Sequence, residues 1–126
     1  MIKVLLVGIG GLVGAIARYG ISGLVHRLYN GSFPLGTLTV NVLGCFVIGA
    51  VMTLVDDRQF FSPHVRVFVM IGLLGSLTTF STFGYETFEL MRDHMLHLAL
   101  FSVLTNVILG ITAVILGRAV MKMIGV

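Results

Sequence analysis

The chain has 126 residues, of which 57% are hydrophobic and 10% charged, and its mean hydropathy of +1.08 excludes an ordinary soluble domain. Eight basic residues against five acidic ones give a net charge of +3. The basic residues are scattered at the ends of apolar runs, where lipid headgroups rather than nucleic acid are the fitting partner.

A membrane span needs about 20 mostly apolar residues, and four runs meet that length: 4–25, 35–55, 65–88 and 96–120. They predict an all-α membrane protein with one four-helix transmembrane domain over 1–126. The opening MIKVLLVGIGGLVGAIA has the outline of a signal peptide, but apolar character resumes after Arg18 and three further spans follow, so it reads as the first span. Asn30-Gly31-Ser32 matches a glycosylation pattern too short to carry weight. The single cysteine, Cys45, excludes an intramolecular disulfide. Lys3, Arg58, Arg66, Arg118 and Lys122 fall on one side of the membrane, against Arg27 and Arg92 on the other, a modest bias toward a cytoplasmic N-terminus.

In the first span, Gly10-x-x-x-Gly14 beside Gly11 and Ala15 predicts close helix contact, as Cys45-x-x-x-Gly49 does in the second. Arg18 is the costliest residue at membrane depth: it either snorkels to the headgroups or faces an aqueous vestibule that attracts anions. In the second span, helical spacing places Thr37 and Asn41 on one face. Asn41 has two N–H donors and one acceptor oxygen, and serves either as glue between helices or as part of a polar path. In the fourth span Ser102, Thr105 and Thr112 follow a polar stripe, with Asn106 and Gly110 alongside.

The third span carries GLLGSLTTFSTFGY at 72–85, with hydroxyls at Thr78, Thr79, Ser81 and Thr82. Any one of them can bond back to a carbonyl one turn earlier, but their density after Gly72 and Gly75 predicts a break in the helix. Carbonyls freed at membrane depth must be satisfied by protein, water or an ion, and a hard cation such as Na⁺ takes oxygen ligands. Phe80 and Phe83, at i and i+3, share a face. Their ring edges carry partial positive charge, which among hydroxyl donors suits a small anion, although packing against lipid explains most phenylalanines in such helices. Glu86 follows on the same stripe, either as a proton-coupling acid or as a solvated residue at the helix end. His26, His64, His94 and His97 all lie near span ends without a nucleophile or metal-ligand spacing, so an enzyme is not expected. Four short helices enclose too little interior for a water-filled path, which implies an oligomer.

GGLVGAIARY at 10–19, PLGTLTVNVLG at 34–44, GLLGSLTTFSTFGYE at 72–86 and the glycine-punctuated fourth span resemble the small bacterial fluoride channels known as Fluc or CrcB proteins. The resemblance covers the whole chain. It implies a fluoride-selective channel for passive export of cytoplasmic fluoride, a multi-pass protein of the bacterial inner membrane built as an antiparallel, dual-topology homodimer with two pores along the interface. It further implies that Phe80 and Phe83 line the fluoride path with their ring edges, with the Asn41 amide near them. Ser81, Thr82 and Thr37 would be polar lining, and Arg18 would stand at a vestibule. The backbone carbonyls of Gly75 and Thr78 from both subunits would hold a structural Na⁺ where the third helix is broken. Gly84 and Gly110 depart from the family pattern, which often has hydroxyls there, leaving Asn106 or Thr105 to substitute. The rival reading is a small proton-coupled membrane exporter that uses Glu86.

Overall fold

A computed structural model describes residues 1–56 and 61–125; Arg58, counted above in the charge bias, lies outside them. Helix α1 runs over Ile2–Leu28 and α2 over Leu35–Asp56. The third span is composite. It begins with one turn, α3 (Pro63–Arg66), widens into a π-helical stretch over Val67–Leu74, and tightens again in α4 (Gly75–Leu77). Thr78 and Thr79 then adopt extended conformations, at φ −82°, ψ 158° and φ −150°, ψ 116°, before α5 (Phe80–Arg92) starts. Helix α6 covers Leu96–Met123. The described residues are all helix, turn or loop, and four stretches are long and apolar enough to cross a membrane: Ile2–Leu28, Leu35–Val55, Pro63–Arg92 and Leu96–Met123.

Most of these helices extend a few residues past the apolar runs read from the sequence. Hydropathy marks the hydrocarbon slab, whereas backbone hydrogen bonding continues until a cap satisfies the last free groups. At the start of the third span Ser62 is that cap, its Oγ accepting from the Val65 N–H at 3.4 Å, with Pro63 in the first helical position where a missing N–H costs nothing. Helix α5 ends in a Schellman motif: the Met95 N–H donates to the Leu90 carbonyl at 2.8 Å and the His94 N–H to that of Met91 at 3.2 Å. The motif needs a left-handed residue, and His94 supplies it at φ 59°. The turn into α6 is therefore only three residues long.

Two glycine seams hold the helices together. Helix α2 packs mainly on α6, and α1 mainly on the π-helical stretch, with lesser contacts to α2 and α4. A methyl group on Gly14 would collide with the Leu73 carbonyl, and one on Gly10 with that of Phe68; Gly49 and Gly117 are barred in the same way by Val114 and Phe46 across the other seam. Without a water-driven hydrophobic force between membrane helices, such backbone approach supplies the dispersion contacts that hold them. The fully enclosed core is small: Val40, Leu74, Leu77, Leu90, Ala99 and Ala113 are buried, while long rows of α1 and α6 side chains face outward. The buried Thr53 hydroxyl is satisfied within its own helix, its Oγ1 donating to the Gly49 carbonyl at 3.1 Å.

Gly14→Ala is expected to lower the melting temperature in detergent, at a cost of about 1–3 kcal/mol for overpacking a closed contact. Gly20, with nothing near the place of its absent side chain, provides the control: Gly20→Ala should leave the melting temperature unchanged or raise it slightly.

Candidate functional site

The site is built around the interruption between α4 and α5. In an unbroken helix the Thr79 N–H would close onto the Gly75 carbonyl; here it donates to Asn41 Oδ1 on α2, at 2.8 Å. Asn41 Nδ2 returns a bond to the Thr79 carbonyl at 3.2 Å, so one side-chain amide pairs with both polar groups of a single residue. The second hydrogen of Nδ2 goes to Asn106 Oδ1 on α6, at 3.0 Å. Asn106 Nδ2 in turn donates to the Ser102 carbonyl at 3.0 Å. All four of these bonds substitute for helical ones that the break removes or anchor the groups that do so.

Thr79, itself buried, also starts α5. Its Oγ1 accepts from the Thr82 N–H at 3.2 Å, a side-chain N-cap, and donates to Thr82 Oγ1 at 3.0 Å. Ser81 Oγ lies 3.4 Å from the same oxygen. Thr82 thus uses its oxygen as an acceptor and keeps its own proton for an outside partner. Thr78 behaves differently: its Oγ1 donates back to the Leu74 carbonyl at 3.0 Å, and its N–H donates to that same carbonyl at 3.1 Å.

Two hollows flank the break, and Thr79 lines both. The first, of about 370 Å³, is bounded by Asn41, Gly75, Thr78, Phe80, Phe83 and Asn106 among others, with no charged side chain in its wall. It opens outward, since Phe80 is 83% exposed. The Phe80 and Phe83 rings stand 5.5 Å apart between centroids and are tilted by 59°, so that the edge of one is inclined toward the other, the arrangement that ring quadrupoles favour. The second hollow, of about 520 Å³, brings together Arg18, His26, Thr37, Thr82 and Glu86. Thr37 stands beside the Glu86 carboxyl, but Glu86 Oε2 is buried with no hydrogen-bond partner. Arg18 does not neutralise it: among the described residues the ion pairs are those of Arg92 with Glu89 and with Asp93.

The sequence-derived residues are thereby divided. Asn41, Gly75, Thr78, Phe80 and Phe83 share the uncharged hollow, whereas Arg18, Thr37 and Thr82 share the charged one, and Ser81 sits exposed beside the cap. The fourth-span stripe meets different surroundings along its length. Ser102 is fully buried, with its Oγ 3.4 Å from Thr87 Oγ1; Thr105 bonds back to the Phe101 and Ser102 carbonyls; Thr112 is exposed. Thr79 and Asn106 carry more of the geometry than their neighbours. No local signal separates Thr79 from Thr78, and the pairing of Asn106 with Asn41 spans 65 positions.

The donor set at the break also fits a hard cation. Gly75 is exposed and its carbonyl has lost its helical N–H partner to Asn41, so an oxygen acceptor without a side chain in front of it lies at the rim of the uncharged hollow beside Thr78.

Fold and site together define a small multi-pass membrane protein with an interrupted span, uncharged donors and an outward-facing hollow at membrane depth. Residues 5–118 match the family described as CrcB-like protein, Camphor Resistance (CrcB), and the chain belongs to that family. It is 46% identical over 118 residues to a fluoride-specific ion channel FluC of Shewanella frigidimarina, covering 94% of each chain. It is 43% identical over 124 residues to one of Geotalea daltonii, covering 98% of this chain and 100% of the relative. To the fluoride-specific ion channel FluC 3 of Methanosarcina barkeri it is 43% identical over 120 residues, covering 95% and 90% respectively. These relatives are named as ion channels, not as enzymes.

Thr79→Val, which keeps shape and removes the cap, is expected to destabilise the protein by about 0.5–2 kcal/mol, read as a lower melting temperature in detergent. Thr79→Ser should restore most of the loss, because the hydroxyl returns.

Proposed function

We propose that this chain is a fluoride-selective ion channel that lets cytoplasmic fluoride leave the cell passively. The observation that carries the reading is the outward-facing hollow at the break, where the exposed Phe80, the Phe83 ring and the hydroxyl-capped start of α5 offer partial positive charge with no fixed cation. The names of the relatives point the same way.

Fluoride is small and holds its water tightly, so a path must replace hydration with donors at every step. Ring edges and hydroxyl protons do this weakly and repeatedly, which lets an ion enter and still leave. The Thr82 proton, uncommitted within the chain, is a donor at the mouth of the charged hollow, and Arg18 raises the local anion concentration there. Asn41 contributes differently, because both its N–H groups are engaged: it holds open the break that places the rings.

Polar backbone and an open hollow facing outward at membrane depth require cover. The reading therefore includes a homodimer of antiparallel subunits, with the path along their interface and the uncharged hollow of each closed by the other. The Gly75 and Thr78 carbonyls of both subunits would hold a Na⁺ in that interface. When bound, the ion supplies a buried positive charge that attracts anions over a longer range in a low dielectric than in water. One observation favours a second reading, a proton-coupled exporter: the Glu86 Oε2 that is buried without a partner.

Purified protein in liposomes is expected to release fluoride, followed with a fluoride electrode, while retaining chloride; equal release of both, or of neither, overturns the channel reading. Phe80→Ile and Phe83→Ile should each slow fluoride release by about tenfold, given the worth of oriented ring contacts. Glu86→Gln separates the two readings: a channel keeps its flux with or without a pH gradient, whereas an exporter loses gradient-driven transport.

A further inference from the structure

The relay that begins at Thr79 does not end at Asn41. It ends on α6, and its two termini are main-chain groups whose polarity is fixed: the Thr79 N–H can only donate and the Ser102 carbonyl can only accept. Between them stand two side-chain amides, each of which could face either way. The Ser102 carbonyl draws the Asn106 NH₂ toward itself, at 3.0 Å, which leaves Asn106 Oδ1 facing α2. That oxygen accepts from Asn41 Nδ2 at 3.0 Å, and so turns Asn41 Oδ1 toward the Thr79 N–H. Only one of the orientations satisfies all four bonds.

We propose that Asn106 is a positioning residue that acts through Asn41: it braces the Asn41 amide in the orientation that the Thr79 N–H and carbonyl require, and thereby helps hold the Thr79 peptide in the extended conformation that separates α4 from α5. The alternative role, a donor that lines the hollow in its own right, has only the second Nδ2 hydrogen of Asn106 to draw on, because the first is engaged on the Ser102 carbonyl. The bearing of this on ion flux rests on the channel reading above; the bearing on the backbone does not. Asn106 couples α6 to the interrupted span, across which α5 and α6 otherwise meet chiefly beyond the break.

Two measurements test the inference. The first, on purified protein in detergent without fluoride, is hydrogen–deuterium exchange at the Thr79 amide. Asn106→Ala is expected to speed exchange there by about three- to tenfold, the worth of one released hydrogen bond, and Asn41→Ala, which removes the acceptor itself, by at least as much. Unchanged exchange overturns the proposal whatever the flux. Ala favours helix, so the variant should fold; Asn106→Ser, whose hydroxyl is too short to reach Asn41, carries the same expectation if it does not. The second is fluoride release from liposomes by Asn41→Ala, Asn106→Ala and the double variant. A residue that acts only through Asn41 adds nothing once Asn41 is gone, so the double variant should match Asn41→Ala alone. Effects that multiply would show Asn106 contacting the ion independently, and would overturn the proposal. Wild-type liposomes that release no fluoride would instead count against the channel reading, and the exchange measurement would still decide the role of Asn106.

Discussion

A helix interrupted inside hydrocarbon leaves peptide groups that cannot turn to water, and everything else in this protein depends on how those groups are satisfied. The answer is one side-chain amide laid against one peptide: Asn41 accepts from the Thr79 N–H and donates to the Thr79 carbonyl. An unsatisfied peptide group at this depth costs several kcal/mol, more than the helical bonds around it contribute individually. The interruption therefore exists only with α2 in its place. Once it exists, Thr79 can cap α5, and α5 can carry Phe80 outward while Leu77 stays in the core.

The two glycine seams belong to the same construction. Gly10 and Gly14 bring α1 against the first half of the third span, and Gly49 and Gly117 clasp α2 to α6. Each seam fixes one side of the break, and the amides of Asn41 and Asn106 bridge between α2, α6 and the peptide at Thr79. Because close backbone contact leaves little slack, those amides meet at hydrogen-bonding distance without long side chains having to be ordered. The outward face, by contrast, is not closed by any of the described residues, and Phe80 stays exposed while Leu74 and Leu77 a turn or two earlier do not.

Much of this was legible in the sequence, and the reasons for the exceptions are physical. Four apolar runs gave four spans, because hydrophobic length is a local property. The density of hydroxyls between Thr78 and Thr82 marked where helical bonding was contested, yet not which hydroxyl would cap, since Thr78 and Thr79 are the same residue type and differ only in φ, ψ and in what faces them. Arg18 and Glu86 come to line one hollow without forming a pair, a matter of helix rotation that no spacing rule conveys. The fourth-span stripe was legible as spacing but not as environment: Thr105 and Thr112 lie within roughly 20° of each other around the helix, yet Ser102 is buried against α5 while Thr112 is exposed. Asn106 was visible as a polar residue in an apolar run, but its partner lies on another helix.

The wide turns at Val67–Leu74 have a mechanical meaning. VFVMIGLL reads as an ordinary apolar helix, and π-helical winding there consumes extra chain for the same climb. Each residue added to or removed from an α-helix rotates the downstream side chains by roughly 100°, so this stretch sets the azimuth at which Gly75, Thr78 and Phe80 emerge against α1 and α2. A single-codon deletion in it would be met first by tightening the wide turns toward α-helix, so the bearing of the aromatic pair is set by winding and length together.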